Sequence, residues 1–206
     1  MNAKRFFFLS LCLFFVLSGL PAALASLGPT EELKPTLNKI IDILADSSLS
    51  GIQHKEERRA KIMAIATQGF DFPEMAKLVL GKTWNTIDQQ QQTHFEQLFT
   101  KLLENTYIGK LESYSGQEVK FQDERIKGDK AQVSTVVDNN GVAIPVHYVM
   151  LQKESSWKVY DINIEGVSLV RNFREQFKSI LRKEKFDGLV KVIEEKNASF
   201  STEGSN

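Results

Sequence analysis

The chain of 206 residues carries 26 basic and 26 acidic side chains, a balance that argues against a nucleic-acid binder, which normally presents a basic domain. Its one cysteine, Cys12, lies in an N-terminal apolar run, so the rest of the chain offers no disulfide, thiol nucleophile or thiolate metal site. The roughly 180 residues beyond that run suit a single domain that can bury a core and still leave room for a cavity.

In chain order, Met1-Asn2-Ala3-Lys4-Arg5 is short and basic, Phe6–Leu20 is apolar, and Ala23-Leu24-Ala25 has small residues at its first and third positions. This is the three-part layout of a secretory signal peptide, with cleavage expected after Ala25. The apolar run is shorter than the roughly 20 residues a spanning helix needs. Loss of Lys4 and Arg5 would leave 24 basic against 26 acidic residues, a net charge near −2. Residues 26–197 are expected to form the domain: 26–115 mainly helical, 117–166 a sheet, 167–197 helical again. Residues 198–206 are expected to be a disordered tail.

Leu33, Leu37, Ile40, Ile41 and Leu44 fall at amphipathic helical spacing, with Pro35 tolerated in the first turn. A polar gap at 47–51 precedes a second helix over 54–70. Asp71 is placed to cap a third, with Met75, Leu78 and Val79 inward and Gly81 at its end. From Asp88, Phe95, Leu98, Phe99, Leu102, Leu103 and Tyr107 make the strongest helical pattern in the chain. The period then shortens to two. Strands are predicted from Val119, over Ala131–Asp138, over Val142–Leu151 and from Trp157, with a tight turn at Asn139-Asn140-Gly141. Pro145 suggests an edge or a bulge for its strand. Helices, then an antiparallel meander of about four to five strands, then helices: this order specifies an α+β fold with helices packed on the sheet.

Candidates for chemistry are few. Gly166-Val167-Ser168-Leu169-Val170 follows a strand and opens a helix, as a hydrolase nucleophile elbow does. It lacks the second glycine, and the surrounding strands read as antiparallel rather than parallel. Ser168 is equally a helix N-cap. His54, His94 and His147 are isolated, without a second ligand at i+3 or i+4, so no metal site is expected. Asp161 and Glu165, four residues apart on one strand, would stand about 13 Å apart, too far for a retaining carboxylate pair. Arg171, Arg174, Lys178, Arg182, Lys183 and Lys185 give the late helix a basic side, read either as a solvated face or as a contact for anionic head groups or an acidic partner. Asn197-Ala198-Ser199 matches a short glycosylation sequon.

Three separated stretches, "FDFPEMAKLVLGKTW", "QQTHFEQLFTKLLENTY" and "WKVYDINIEGVSLVRNFREQF", resemble the MlaC family, the periplasmic phospholipid-binding proteins of the lipid-asymmetry (toluene-tolerance) ABC transport system. The resemblance runs from about Leu33 to Asn197. It includes Phe70, Asp71, Phe72, Gly81, Trp84 and Gln91 in the first half, and Trp157, Tyr160, Asp161, Gly166, Ser168, Asn172 and Phe177 in the second. Phe173 stands where the family often has tyrosine, and Gln92 where a basic residue is common. The resemblance implies a cystatin/NTF2-like sheet wrapped by helices around an apolar cavity, and no cofactor beyond bound phospholipid cargo. It also implies a soluble shuttle between an outer-membrane lipoprotein complex and an inner-membrane ABC transporter, with transient contact with a membrane surface allowed.

On that reading the sheet wall is expected from Ile144, Val146, Tyr148, Met150, Tyr160, Ile162 and Ile164. The helical wall is expected from Phe99, Leu103, Tyr107, Val167, Val170 and Phe173. Ser168, Arg171 and Arg174 are head-group candidates at the mouth. Two other readings stay open: an NTF2-like enzyme or serine hydrolase using Ser168, and a non-enzymatic envelope scaffold docking through the basic helix.

Overall fold

A computed structural model describes residues 27–108, 116–139 and 141–203. The expected signal peptide therefore lies outside the described residues. Helix α1 spans Pro29–Ala45 and buries Leu33, Leu37 and Ile40; α2 spans Lys55–Gly69. Helix α3, Phe72–Leu80, begins where expected because the Asp71 side chain accepts the Glu74 backbone N–H at 3.0 Å. It stops at Gly81, whose φ of +56° and ψ of −122° suit a residue without a Cβ.

Helix α4, Gln89–Leu103, opens on a reciprocal capping box between Asp88 and Gln91. Its last turn widens into a π-turn over Glu104–Ile108, the kind of local expansion that recurs at functional sites. The final helix, α5, runs from Leu169 to Glu203 with a break in helical geometry at Lys185. It extends past Ala198, where the sequence suggested a disordered tail.

Strands β1 (Val119–Lys127), β2 (Lys130–Asn139), β3 (Val142–Lys153), β4 (Ser156–Ile164) and β5 (Val167–Ser168) form one antiparallel meander in that order. The expected α+β architecture is present. Pro145, however, sits in the interior strand β3, opposite Val136. In a strand, a residue's N–H and C=O point to the same side, and the Pro145 carbonyl accepts from Glu165 beyond the end of β4. The missing N–H therefore faces a turn rather than a ladder, and the strand is locally an edge. That turn, Glu165-Gly166, has positive φ at both residues (51° and 84°), as a type I′ hairpin requires.

The outer edge of β4 is covered rather than left bare. Asp71 donates its N–H to the Val159 carbonyl at 2.7 Å, and Trp157 donates its own to the Glu32 carboxylate at 2.9 Å. The buried Asp71 carboxylate also pairs with Lys153 at the end of β3. Helices α1 and α3 are thereby clipped to the sheet by backbone groups that would otherwise need water.

Gly81→Ala is expected to destabilise the protein by about 1–3 kcal/mol. The new Cβ would be in a conformation L-residues avoid and 3.1 Å from the Arg174 guanidinium. Urea denaturation measures this; an unchanged midpoint would contradict it.

Candidate functional site: a half-open apolar face

Helices α4 and α5 meet through phenylalanine. The Phe95 and Phe99 rings on α4 stack at 5.9 Å, and Phe173 and Phe177 on α5 meet Phe99 edge-on at 5.2 and 6.3 Å. Phe186, beyond the break, adds a contact to Phe95 at 6.1 Å. Edge-to-face and offset contacts of this kind add about 0.5–1.5 kcal/mol per pair beyond burial. Phe99, Leu103, Val170 and Phe173, all expected in the helical wall, are in this buried core.

The sheet turns its inner face to these helices, and the registers give its composition row by row. Ala131, Met150 and Val159 lie opposite one another and are sealed. Next come Val133, Tyr148 and Ile162, then Thr135, Val146, Ile164 and Val167, then Val137 and Ile144. Val133, Tyr148, Thr135 and Val146 remain buried, and exposure rises toward β5 along β4 and at the last row. Met150 and Val159 are 1% and 0% exposed, Ile162, Ile164, Val137 and Ile144 are half-buried, and the terminal Val142 and Val167 reach 62% and 58%. Phe121 on β1 and Tyr107 in the π-turn, 6.5 Å from Phe173, are half-buried against the same cluster. One end of the apolar face is thus packed solid, and the other is left partly uncovered.

Of the sequence-predicted wall, Ile144, Val146, Tyr148, Met150, Ile162 and Ile164 share this inner face. Tyr160 does not. A bulge sets Val149 opposite Asp161 and Met150 opposite Val159, so Tyr160 is an extra residue and leaves the row. Strict alternation had grouped it with Ile162; the bulge gives its place to Val159 and Trp157. Val167 is on the inner face but at its exposed rim. Val133, Thr135, Val137 and Phe121 also belong to the face and were missed, although the alternation of β2 carries the signal.

The corner between β4, β5 and α5 is held by one carboxylate. Asp161 accepts hydrogen bonds from the Ile162 N–H at 2.9 Å, the Val170 N–H at 3.0 Å and the Ser168 hydroxyl at 2.6 Å. The Ser168 oxygen accepts in turn from the Arg171 N–H at 3.0 Å. Ser168 is therefore the N-cap of α5, with Asp161 satisfying a second free donor of the first turn. Its hydroxyl proton is directed to a carboxylate and not to an imidazole base, so the elbow resemblance does not extend to a Ser–His pair. Arg171 and Arg174 stand exposed on α5.

At the far end of the helix pair, the Asn197 amide donates to the Leu98 carbonyl at 3.0 Å and its oxygen accepts from Asn105 at 3.2 Å. This asparagine, read as part of a sequon, is a clip between α4 and α5. No group of three or more His, Cys, Asp or Glu side chains that could hold a metal exists among the described residues. None of the helices described is long and apolar enough to cross a membrane.

Burial raises the Tyr148 phenol to about 12, partly offset by its hydrogen bond with Thr135. Burial likewise raises Tyr107, and it raises Tyr160 together with the negative charges of Asp161, Asp129 and Glu74.

The geometry defines a class: an α+β domain with helices banked on an antiparallel sheet whose apolar inner face is closed at one end and open at the other. The model of the MlaC protein family matches residues 34–195. The chain belongs to the MlaC family.

It is 28% identical over 123 residues to the intermembrane phospholipid transport system binding protein MlaC of Haemophilus influenzae, covering 57% of this chain and 58% of that protein. It is 27% identical over 96 residues to the toluene tolerance protein ttg2D of Pseudomonas putida, covering 46% and 45%. The chain thus spans about half the length of the curated relatives it matches. A phospholipid-binding protein from Ralstonia solanacearum, solved in complex with a phospholipid, superposes with a TM-score of 0.76 at 26% identity, covering 85% of this chain and 99% of that one.

Two measurements test the corner and the wall. Ser168→Ala is expected to lose about 1–2 kcal/mol of stability through the vacated cap, with no change in any ester hydrolysis by the purified protein; a selective loss of hydrolysis would restore the nucleophile. For Tyr148, the raised folded-state pKa means the unfolded chain releases its proton first. Stability is therefore unaffected below pH 10 and declines between pH 10 and 12, by about 2–3 kcal/mol in all. Tyr148→Phe should show a shallower alkaline decline in urea titrations, and an identical slope would contradict the assignment.

Proposed function

We propose that this protein is a soluble periplasmic carrier that holds a phospholipid between the inner face of the sheet and helices α4 and α5. Residues 1–25 would direct export and be removed after Ala25. The carrier exchanges its cargo with an outer-membrane lipoprotein complex and an inner-membrane ABC transporter, and so maintains outer-membrane lipid asymmetry. It needs no catalytic group and no cofactor.

The observation that carries this reading is the graded exposure of the inner face, from sealed Met150 and Val159 to exposed Val142 and Val167. A continuous apolar surface left uncovered at one end suits an elongated apolar ligand that enters there. Family membership and the phospholipid held by the Ralstonia structural neighbour support the same reading.

The energetics favour a carrier of this form. Moving a two-chain phospholipid through water exposes about 30 methylenes at about 0.8 kcal/mol each, a cost on the order of 20 kcal/mol. An apolar site offsets most of that cost without chemistry. The lipid must also leave, so its binding has to match the donor and acceptor membranes rather than exceed them. An open, partly hydrated end serves release as well as entry.

Protein purified without detergent should carry phospholipid in native mass spectra. Ile164→Glu, at a half-buried position of the open end, should keep its fold by circular dichroism and lose most of that lipid. Lipid-free wild-type protein, or a folded Ile164→Glu protein with undiminished lipid, would overturn the proposal or its wall.

A further inference from the structure

Helix α5 has two faces with different duties. Val170, Phe173 and Phe177 are buried in the core. Arg171, Arg174, Lys178 and Arg182 recur at intervals of three, four and four on one flank, about 110° around the helix from that buried face, and all four are exposed. At 100° per residue they occupy one narrow stripe about 16 Å long, before the break at Lys185. Only Lys178 has an acidic partner on its own helix, Glu175 at 3.4 Å, with both side chains largely in solvent. Arg171, Arg174 and Arg182 form no salt bridge among the described residues. Arg174 lies over Gly81, and Lys82, also exposed, extends the patch from the end of α3.

Three of the chain's seven arginines are in this stripe, although lysines outnumber arginines 19 to 7 overall. The distinction matters because a guanidinium binds carboxylates through a planar fork and is readily desolvated, whereas lysine is depleted at protein interfaces. The overall charge also bears on the choice. With 24 basic and 26 acidic residues once Lys4 and Arg5 are removed with the signal peptide, the molecule has little long-range attraction for an anionic bilayer, while paired contacts at short range are not screened in the same way. The stripe starts one turn from Val167, at the open end of the apolar face.

We propose that Arg171, Arg174, Lys178 and Arg182 form a docking surface for a protein partner that presents a row of Asp and Glu side chains. This surface orients the open end of the site toward that partner. The inference rests on the carrier reading for its purpose, but docking and lipid content are separately measurable. A partner bound here lies beside the rim, so acyl chains pass between the two proteins without crossing water. Because the same helix carries the stripe and the buried Val170–Phe177 face that packs in the core, docking also presses on an element that bounds the site.

The test places a photo-cross-linking amino acid at Lys178 in the full chain, in its own cells, with Lys39 on α1 as a control position. The expected result is a protein adduct at 178 but not at 39, whose cross-linked peptide contains clustered acidic residues. Arg171→Glu with Arg174→Glu should reduce the adduct at least tenfold, and Asp/Glu→Arg changes in the cross-linked peptide should restore it. Adducts with lipid alone, together with flotation on phosphatidylglycerol vesicles that the double variant loses, would replace the protein partner with a bilayer and overturn the proposal. Equal adducts at 178 and 39, or adducts insensitive to charge reversal, would overturn it as well. Lipid content of a Lys178→Glu, Arg182→Glu variant, changed only at stripe residues outside the expected lipid site, should equal wild type. Lipid missing from both would sink the carrier reading and leave the cross-linking result standing by itself.

Discussion

The contact on which the rest depends is the phenylalanine seam between α4 and α5. Phe95, Phe99, Phe173, Phe177 and Phe186 come from segments about eighty residues apart, and each is buried. Burying a phenylalanine stabilises by about 1.5–3 kcal/mol, so this cluster is among the largest concentrations of packing energy in the fold. It fixes the two helices to each other, within the same buried core as Met150 and Val159. With stability concentrated there, the other end of the sheet can stay uncovered without loosening the domain.

A second constraint governs where α5 begins. The Asp161 carboxylate gathers the Ser168 hydroxyl and two backbone N–H groups, so the hairpin at Glu165-Gly166 and the first turn of α5 move together. Both Val167 at the rim and Arg171 at the head of the basic stripe are positioned by this corner. A residue pattern that first suggests a nucleophile is a structural joint between the wall and the outer surface.

The candidate site was partly legible in the sequence. Period-two alternation in β3 correctly groups Ile144, Val146, Tyr148 and Met150, because that strand pairs with β2 without interruption. The same alternation misplaces Tyr160. A bulge depends on how two strands accommodate one another's twist, which no single strand encodes. Helical spacing identifies Phe99 and Phe173 as inward, but a solid core and a ligand wall share that spacing. Only neighbouring elements determine that both belong to the sealed seam while Ile164 and Ile144 lie near the opening.

By itself, then, the sequence determined what depends on near neighbours: the caps at Asp71 and Ser168, the stop at Gly81, the order of helices and strands, and the basic side of α5. These follow from hydrogen bonds and torsions spanning a few residues. The tertiary structure alone decided the bulge at Tyr160, the tolerance of Pro145 inside the sheet, the Asn105–Asn197 clip and the uncovered end of the apolar face. Each joins residues far apart in the chain, and so becomes visible only when the folded chain brings them within contact distance.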